Sequence, residues 1–192
     1  MLKTMTDILA EAPVTESQKE RILELASEMR KFEIGLLWQR SLFFWGFIGA
    51  SFIAYAQFRE MEEINFAAII GGFGLVCSAA WTLQNRGSKY WQEAWEQKVQ
   101  AVETDVLGIP LFSNPEPREE KGFWGAKRFS VSGLLIALSD FSTLIWLVLL
   151  AATLVKGFQQ ENLGELWLPT VALFLACAYA AVMYCTNKRP DE

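Results

Sequence analysis

The 192-residue sequence contains no histidine and only three cysteines. Without histidine, a Ser–His–Asp triad, a histidine zinc site and histidine ligation of haem are all excluded. Three cysteines cannot form a disulfide framework. Lys and Arg number 17 against 22 Asp and Glu, and the net charge of −5 argues against nucleic-acid binding by bulk charge. We therefore expect no direct contact with nucleic acid.

Motifs of catalysis and cofactor binding are absent from the sequence as well. It has no GxxxxGK[ST] phosphate loop, no HExxH, no GxSxG and no CxxC. The glycine-rich run at 71–74 lies inside an apolar block, which indicates helix packing rather than nucleotide binding. We assign no catalytic residue, no metal site and no cofactor, and we expect that the protein is not an enzyme.

Apolar sequence is abundant, with 52% hydrophobic residues arranged in four blocks. The blocks cover residues 41–58, 64–83, 129–155 and 166–185, and the first can borrow residues 36–38. A bilayer core about 30 Å thick requires about 20 helical residues, so each block is long enough to cross it. The predicted fold class is all-α: a polytopic membrane protein with four transmembrane helices in two hairpins, plus two cytoplasmic amphipathic helices.

The distribution of basic residues predicts the orientation. Of the 17 Lys and Arg residues, all but Arg59 and Lys156 lie in the N-terminal segment, the central loop or the C-terminus. By the positive-inside rule, we expect both termini and the central loop to be cytoplasmic.

Two cytoplasmic segments have the apolar spacing of amphipathic helices. In residues 15–39 the predicted stripe is Ile22, Leu25, Met29, Phe32 and Leu36, and in residues 88–107 it is Trp91, Trp95, Val99, Val102 and Val106. Ser88 is the expected N-cap of the second helix. The first stripe needs a partner, which is either the central helix or another subunit. We expect the second stripe to pack against the first helix, although both tryptophans also suit the inner headgroup level of a membrane.

The predicted division of the chain follows from these elements. Residues 1–40 form a cytoplasmic amphipathic helix, 41–84 the first transmembrane hairpin, 85–128 a cytoplasmic helix with a Pro/Gly-rich loop, 129–186 the second hairpin and 187–192 a cytoplasmic tail. The loop at 108–128 is either a connector or a segment that docks a partner.

Asp140 is the polar exception within the blocks. It lies near the middle of the third block, where a carboxylate costs about 2.5–3.5 kcal/mol on insertion scales. Ser132, Ser139 and Thr143 lie on nearby helix faces and extend a polar stripe. No basic residue lies in another span to pair with Asp140. It either lines a pore, proton path or cavity, or is protonated and hydrogen-bonded to a neighbouring helix or to another copy.

Small residues recur every four positions in three of the spans, which predicts close helix packing. They are Gly46, Ala50 and Ala54 in the first span, the pairs Ala67/Gly71 and Gly74/Ser78 in the second, and Ala172, Ala176 and Ala180 in the last.

The stretch from Asn85 to Gln92 (NRGSKYWQ), continuing to Trp95 and Glu96, directly follows a span. It resembles a segment of small bacterial inner-membrane proteins associated with antiphage defence, such as retron- and cyclic-nucleotide-linked membrane effectors or the membrane subunit of Kiwa. The resemblance implies an oligomeric inner-membrane component that senses infection or perturbs the membrane and acts with a cytoplasmic partner. It assigns no residue a role. Physically, Arg86 and Lys89 can contact inner-leaflet phosphates.

These observations lead to two functional hypotheses. The first is a homo-oligomeric inner-membrane sensor, effector or scaffold in antiphage defence that contacts membrane lipids and a cytoplasmic protein partner. Its output would be partner recruitment through the amphipathic helices or a leak near Asp140. The alternative is a subunit of an ion or proton channel, or of a small-solute transporter, with Asp140 on the pathway.

Overall fold

The computed structural model of the chain describes residues 15–107, 130–159 and 167–187. These ranges contain four helices, α1 (Glu16–Glu60), α2 (Ile64–Leu107), α3 (Val131–Gln159) and α4 (Trp167–Asn187), and no strand. All four are long and apolar enough to cross a membrane. The all-α membrane fold class is thereby confirmed. The loop at 108–128 and the tail beyond residue 187 lie outside the described residues.

The helices α1 and α2 each run on through the border between an apolar block and a charged segment. The apolar spacing of residues 15–39 is helical up to the first apolar block, and α1 continues into that block without a break. In α2 the N-cap assigned to Ser88 is wrong, because Ser88 lies in the interior of the helix and is buried. The segment between the second block and residue 88 has no proline. Its single glycine, Gly87, costs a helix only about 1 kcal/mol, so nothing there ends the helix.

At the N-terminus of α1 the Gln18 side chain reaches back to Thr15, which is one half of a capping box. The backbone N–H and the hydroxyl of Thr15 both donate to Gln18 Oε1, at 2.9 and 3.1 Å. Thr15 is therefore the cap of this helix, and Glu16 in the first turn suits the positive end of the helix dipole.

The chain divides into two compact units. We call Trp38–Arg86 together with Val131–Asp191 the membrane unit, since it contains the four apolar blocks. We call Met1–Leu37 together with Gly87–Ser130 the helix-pair unit, because its described part consists of one segment each of α1 and α2. The assignment of these segments to the cytoplasm stays a prediction.

The core of the membrane unit is built around the fully buried Trp146 of α3. Phe52 stacks on its ring with centroids 4.3 Å apart, and Tyr55 meets it edge-on at 5.8 Å. A Cβ added to Gly74 of α2 would lie 2.3 Å from Trp146 Cε2. The glycine therefore lets the backbone of α2 approach the indole closely.

The small residues do not all serve packing as predicted. Ala67, Gly71, Gly74 and Ser78 of α2 are buried. Gly46 and Ala50 of α1 are exposed, and a Cβ at Gly46 would have nothing within 4 Å. For α1 the expectation of close packing through this stripe is wrong within one chain, because another face of α1, with Ser51 and Tyr55, points into the bundle.

The helix-pair unit has a small aliphatic core of Leu23, Ala26, Val99 and Val102, against which Ile22, Trp95 and Val106 pack. The predicted stripe of α2 thus contacts α1 from Trp95 onward. Of the predicted stripe of α1, Ile22 packs against this core, whereas Leu25, Met29 and Phe32 are exposed, so another subunit as their partner stays a prediction. This segment of α1 carries two adjacent apolar faces, and the one that includes Leu23 and Ala26 packs in the single chain.

Candidate functional site at the α2–α3 contact

Asp140 forms an ion pair with Arg86 of α2. Arg86 Nη2 donates to Asp140 Oδ2 at 2.8 Å, and the two side chains keep 56% and 43% of their surface exposed. Arg86 lies just beyond the second block rather than within a span, and the ion pair is a state of Asp140 that neither predicted alternative included. Because the end of α2's apolar block and the beginning of α3 lie side by side, a cation just beyond that block reaches a carboxylate one helix away.

Neighbouring hydrogen bonds fix the alignment of α2 with α3. Ser78 and Ser142 share a hydrogen bond of 2.9 Å, and Asn85 Nδ2 donates to Leu135 O and Ser139 Oγ, both at 3.2 Å. Asp140 is thus level with residues that follow the apolar block 64–83 of α2. This alignment places Asp140 toward one end of the membrane unit, while its depth in a membrane stays a prediction.

Further polar contacts join α1, and the turn that follows it, to α2 and α3. Tyr55 OH donates to Leu149 O at 3.0 Å and lies 2.7 Å from Thr153 Oγ1. Trp81 Nε1 donates to Ser41 Oγ at 3.3 Å. Lys156 then pairs with Glu62 at 3.7 Å. Interhelical hydrogen bonds of this kind contribute about 0.6 kcal/mol each in membranes. These bonds therefore stabilise the bundle only modestly, and they also fix the alignment of its helices.

A half-open cleft of about 240 Å³ adjoins the ion pair. Helices α2, α3 and α4 line it, with Ala79, Thr82, Leu83, Asp140, Thr143, Ala180 and Tyr184. The hydroxyl oxygen of Thr82 is buried without a hydrogen-bond partner among the described residues. Leaving a buried hydroxyl unpaired costs about 1–3 kcal/mol.

The structure brings only part of the predicted polar stripe to this cleft. Asp140 and Thr143 line it, and Thr143 Oγ1 also donates to Ser139 O at 2.9 Å. Ser139 is fully buried, donates to Ile136 O and accepts from Asn85 instead. Ser132 is half-buried and is not among the described residues that line the cleft. The stripe therefore splits into a cleft face and a helix-contact face.

The predicted packing residues lie in the helix-pair unit. Val99 and Val102 are core residues and Trp95 packs against them, with Lys98 Nζ 4.1 Å from the centre of its ring. Trp91 is 44% exposed and meets Tyr90 edge-on at 5.6 Å. Lys89 pairs with Glu93 at 3.6 Å within α2. Contact of Arg86 and Lys89 with lipid phosphates stays a prediction.

Sequence reasoning missed Arg86 as the partner of Asp140, and it missed Thr82 and Tyr184 as cleft residues. A signal for the first was present. In consecutive spans the second ends on the membrane side where the third begins, so a cation after one block and a carboxylate early in the next share that side. Nothing in the sequence marks Tyr184, since its place in the cleft depends on how α4 packs.

Most of the helices and polar contacts described above lie within the residues that one protein-family profile matches. The profile of the octameric membrane protein family (8xMP) matches residues 20–155, about seven tenths of the chain. The chain belongs to the octameric membrane protein family. It is accordingly an oligomeric, multi-pass membrane protein. The family match covers both Arg86 and Asp140. No curated protein and no solved structure matches the chain.

Proposed function

We propose that this oligomeric protein is an effector of antiphage defence in the bacterial inner membrane, with both termini in the cytoplasm, whose bundle changes conformation and opens a leak beside Asp140. The observation that carries the proposal is the half-exposed Arg86–Asp140 ion pair next to an open cleft between α2, α3 and α4. In this proposal the protein is an octamer and performs no catalytic step of its own.

The exposure of the ion pair supports a polar pathway. Charged side chains within membrane segments face water or protein, because contact with hydrocarbon costs several kcal/mol. In a single chain, about half of each side chain is uncovered. In a ring of copies that surface would face a water-filled passage, where a ring of carboxylates favours cations.

Membrane potential and dye permeability in bacteria test the leak. Wild type and the Asp140→Asn variant are expressed at matched levels. We expect depolarisation with wild type and its loss with Asp140→Asn. The matched control is Lys156→Gln, which removes the ion pair with Glu62 at the other end of the unit. Equal depolarisation by wild type and Asp140→Asn would contradict a pathway through Asp140.

The defence role is supported by the resemblance of residues 85–96 to membrane proteins of antiphage systems. Phage plating on bacteria that carry the protein with its neighbouring genes tests it. We expect fewer plaques with wild type, and plaque numbers restored by Asp140→Asn. If phage plate equally on cells with and without the protein, the defence role is wrong, while a constitutive channel would still show in the depolarisation assay.

A second candidate function is a membrane scaffold that recruits a cytoplasmic protein. The exposed aromatic pair Tyr90–Trp91 favours it, since exposed aromatic side chains are enriched at protein interfaces. We expect Trp91→Ala to lose the partner in a pull-down and to leave permeability unchanged. The Gln97→Ala variant, on the same helix and also exposed, is the control.

A further inference from the structure

The exposed apolar face of α1 has the spacing of a coiled-coil seam. Ile22, Leu25, Met29, Phe32 and Leu36 follow one another at alternating intervals of three and four residues. Such a pattern presents one apolar edge to a partner helix. Leu25, Met29 and Phe32 are 46, 39 and 57% exposed, so the chain's own helices leave most of this edge uncovered. We call these five residues the α1 seam.

Lipid is a poor cover for the α1 seam. The segment that carries it is dense in charge, with Glu16, Lys19, Glu20, Arg21, Glu24, Glu28, Arg30, Lys31 and Glu33 preceding the first apolar block. Charges of both signs lie on the helix beside the seam, so the segment also lacks the polybasic character of a lipid-binding helix. A protein surface is the better cover.

The oligomeric state identifies that surface as part of another copy. All copies of a membrane protein share one orientation in the bilayer, which leaves rotation about the membrane normal as the operation that closes a ring. Neighbours in such a ring meet through two different patches, since each contact is head-to-tail. The α1 seam therefore requires a second, complementary patch on the same chain.

Tyr90 and Trp91 provide this second patch. Apart from the seam, they are the large apolar side chains that the described part of the helix-pair unit exposes, at 66 and 44%. Their rings hold each other edge-on at 5.6 Å. A pre-ordered aromatic edge of this kind loses little side-chain entropy when a partner covers it.

The two patches also lie at matching heights. In the helix-pair unit α1 and α2 are antiparallel, because Leu23 and Ala26 pack with Val102 and Val99 while Arg30 pairs with Glu96 at 2.9 Å. Moving from this ion pair toward Trp91 on α2 corresponds to moving toward residue 35 on α1. Within the helix-pair unit, Trp91 therefore lies between the levels of Phe32 and Leu36, so the two patches occupy the same level of the unit.

We propose that the α1 seam of one copy packs against the Tyr90–Trp91 edge of the next copy, and that this contact repeats around the oligomer. The proposal concerns assembly, and it holds whether or not the membrane unit conducts. It is the alternative to a scaffold that docks a cytoplasmic protein on Tyr90 and Trp91, because one patch cannot contact both.

Disulfide trapping between two differently tagged chains tests the contact in native membranes. Cys77, Cys177 and Cys185 are replaced by alanine, one chain carries Phe32→Cys, and the other carries Trp91→Cys. We expect mild oxidation to yield a covalent heterodimer that shows both tags. A single chain with both cysteines should yield a ladder beyond the dimer. The control places the cysteine at Glu24, exposed on another face of α1, and should yield none.

Three results would overturn the proposal. A covalent homodimer from Phe32→Cys alone means that seams pair with each other. Absence of the heterodimer, while the cysteine-free chain remains oligomeric, means that another surface covers the seam. Native mass spectrometry in mild detergent supplies the third test. We expect the Phe32→Glu variant to lose the full oligomer and the Glu24→Lys variant to keep it. An intact Phe32→Glu oligomer that has lost only a cytoplasmic protein would assign the seam to that partner instead.

Discussion

The membrane unit and the helix-pair unit share α1 and α2, and the membrane unit adds α3 and α4, yet different interactions hold each unit together. In the membrane unit the contacts are glycine against indole, ring against ring and hydroxyl against hydroxyl, as at Gly74–Trp146 and Ser78–Ser142. In the helix-pair unit they are aliphatic side chains closed by an ion pair between Arg30 and Glu96.

The difference follows from the solvent that each sequence suits. Lipid tails are as apolar as leucine, so helices in a bilayer associate through close packing and hydrogen bonds. In water, burial of apolar surface contributes about 25 cal/mol per Å² and needs no special geometry. One continuous helix can therefore change its mode of packing along its length, and the change follows the change in composition near residues 37 and 87.

The largest expected effect tests close packing in the membrane unit. In Gly74→Ala, the new Cβ would lie 2.3 Å from the fully buried Trp146, so α2 and α3 must separate. Overpacking of this kind costs about 1–3 kcal/mol or more. Thermal unfolding in detergent, followed by circular dichroism, should show a clear loss of stability. The control is Gly49→Ala, where nothing lies within 4 Å; equal stability of the two variants would disprove the close contact.

Much of the fold could be predicted from residue patterns, because hydropathy and length determine whether a helix can cross a bilayer. The four blocks became four helices for that reason. The face of each helix was harder to predict. In α1, Leu25 and Phe32 are as apolar as Leu23 and Ala26, so periodicity could not decide between two adjacent stripes.

The candidate site was predictable only in part. Asp140 could be singled out from the sequence alone, because it is a carboxylate within an apolar block. Its pairing with Arg86 depends on the register of α2 against α3, which Ser78, Ser142 and Asn85 set through hydrogen bonds. Such bonds join common residues at ordinary spacing, and the sequence does not distinguish them from serines that bond within their own helix, as Ser51 does to Phe47 O.

A smaller effect tests the aliphatic mode of the helix-pair unit. In Val99→Ala, the loss of two buried methyl groups should destabilise this unit by about 2 kcal/mol. Hydrogen exchange should accelerate for the backbone amides of residues 16–37 and 88–107 and stay unchanged in the membrane unit. Gln97→Ala, at an exposed position of the same helix, should change neither. Faster exchange throughout the chain would show that the two units do not differ in this way.

A still smaller effect tests the hydrogen-bonding mode. A double-mutant cycle with Ser78→Ala and Ser142→Ala should give a coupling energy of about 0.6 kcal/mol, and at most about 1.7 kcal/mol. Unfolding of the purified chain in increasing SDS measures each variant. The comparison cycle pairs Ser142→Ala with Ser51→Ala, whose hydroxyl bonds its own helix, and should show no coupling. Coupling in both cycles would mean that the variants act through general loosening of the bundle.

The smallest effect concerns the turn between α1 and α2, where Glu62 has a φ of 62° and pairs with Lys156 at 3.7 Å. A left-handed backbone costs a residue with a Cβ about 1 kcal/mol, and an exposed ion pair contributes about as little. Glu62→Ala and Glu62→Gly both remove the ion pair, but only glycine relieves the backbone. We expect the glycine variant to unfold at a higher SDS concentration than the alanine variant, with a free energy of unfolding larger by about 1 kcal/mol. Equal stability would mean that the turn imposes no strain on this residue, and that packing within the bundle alone determines where α1 ends and α2 begins.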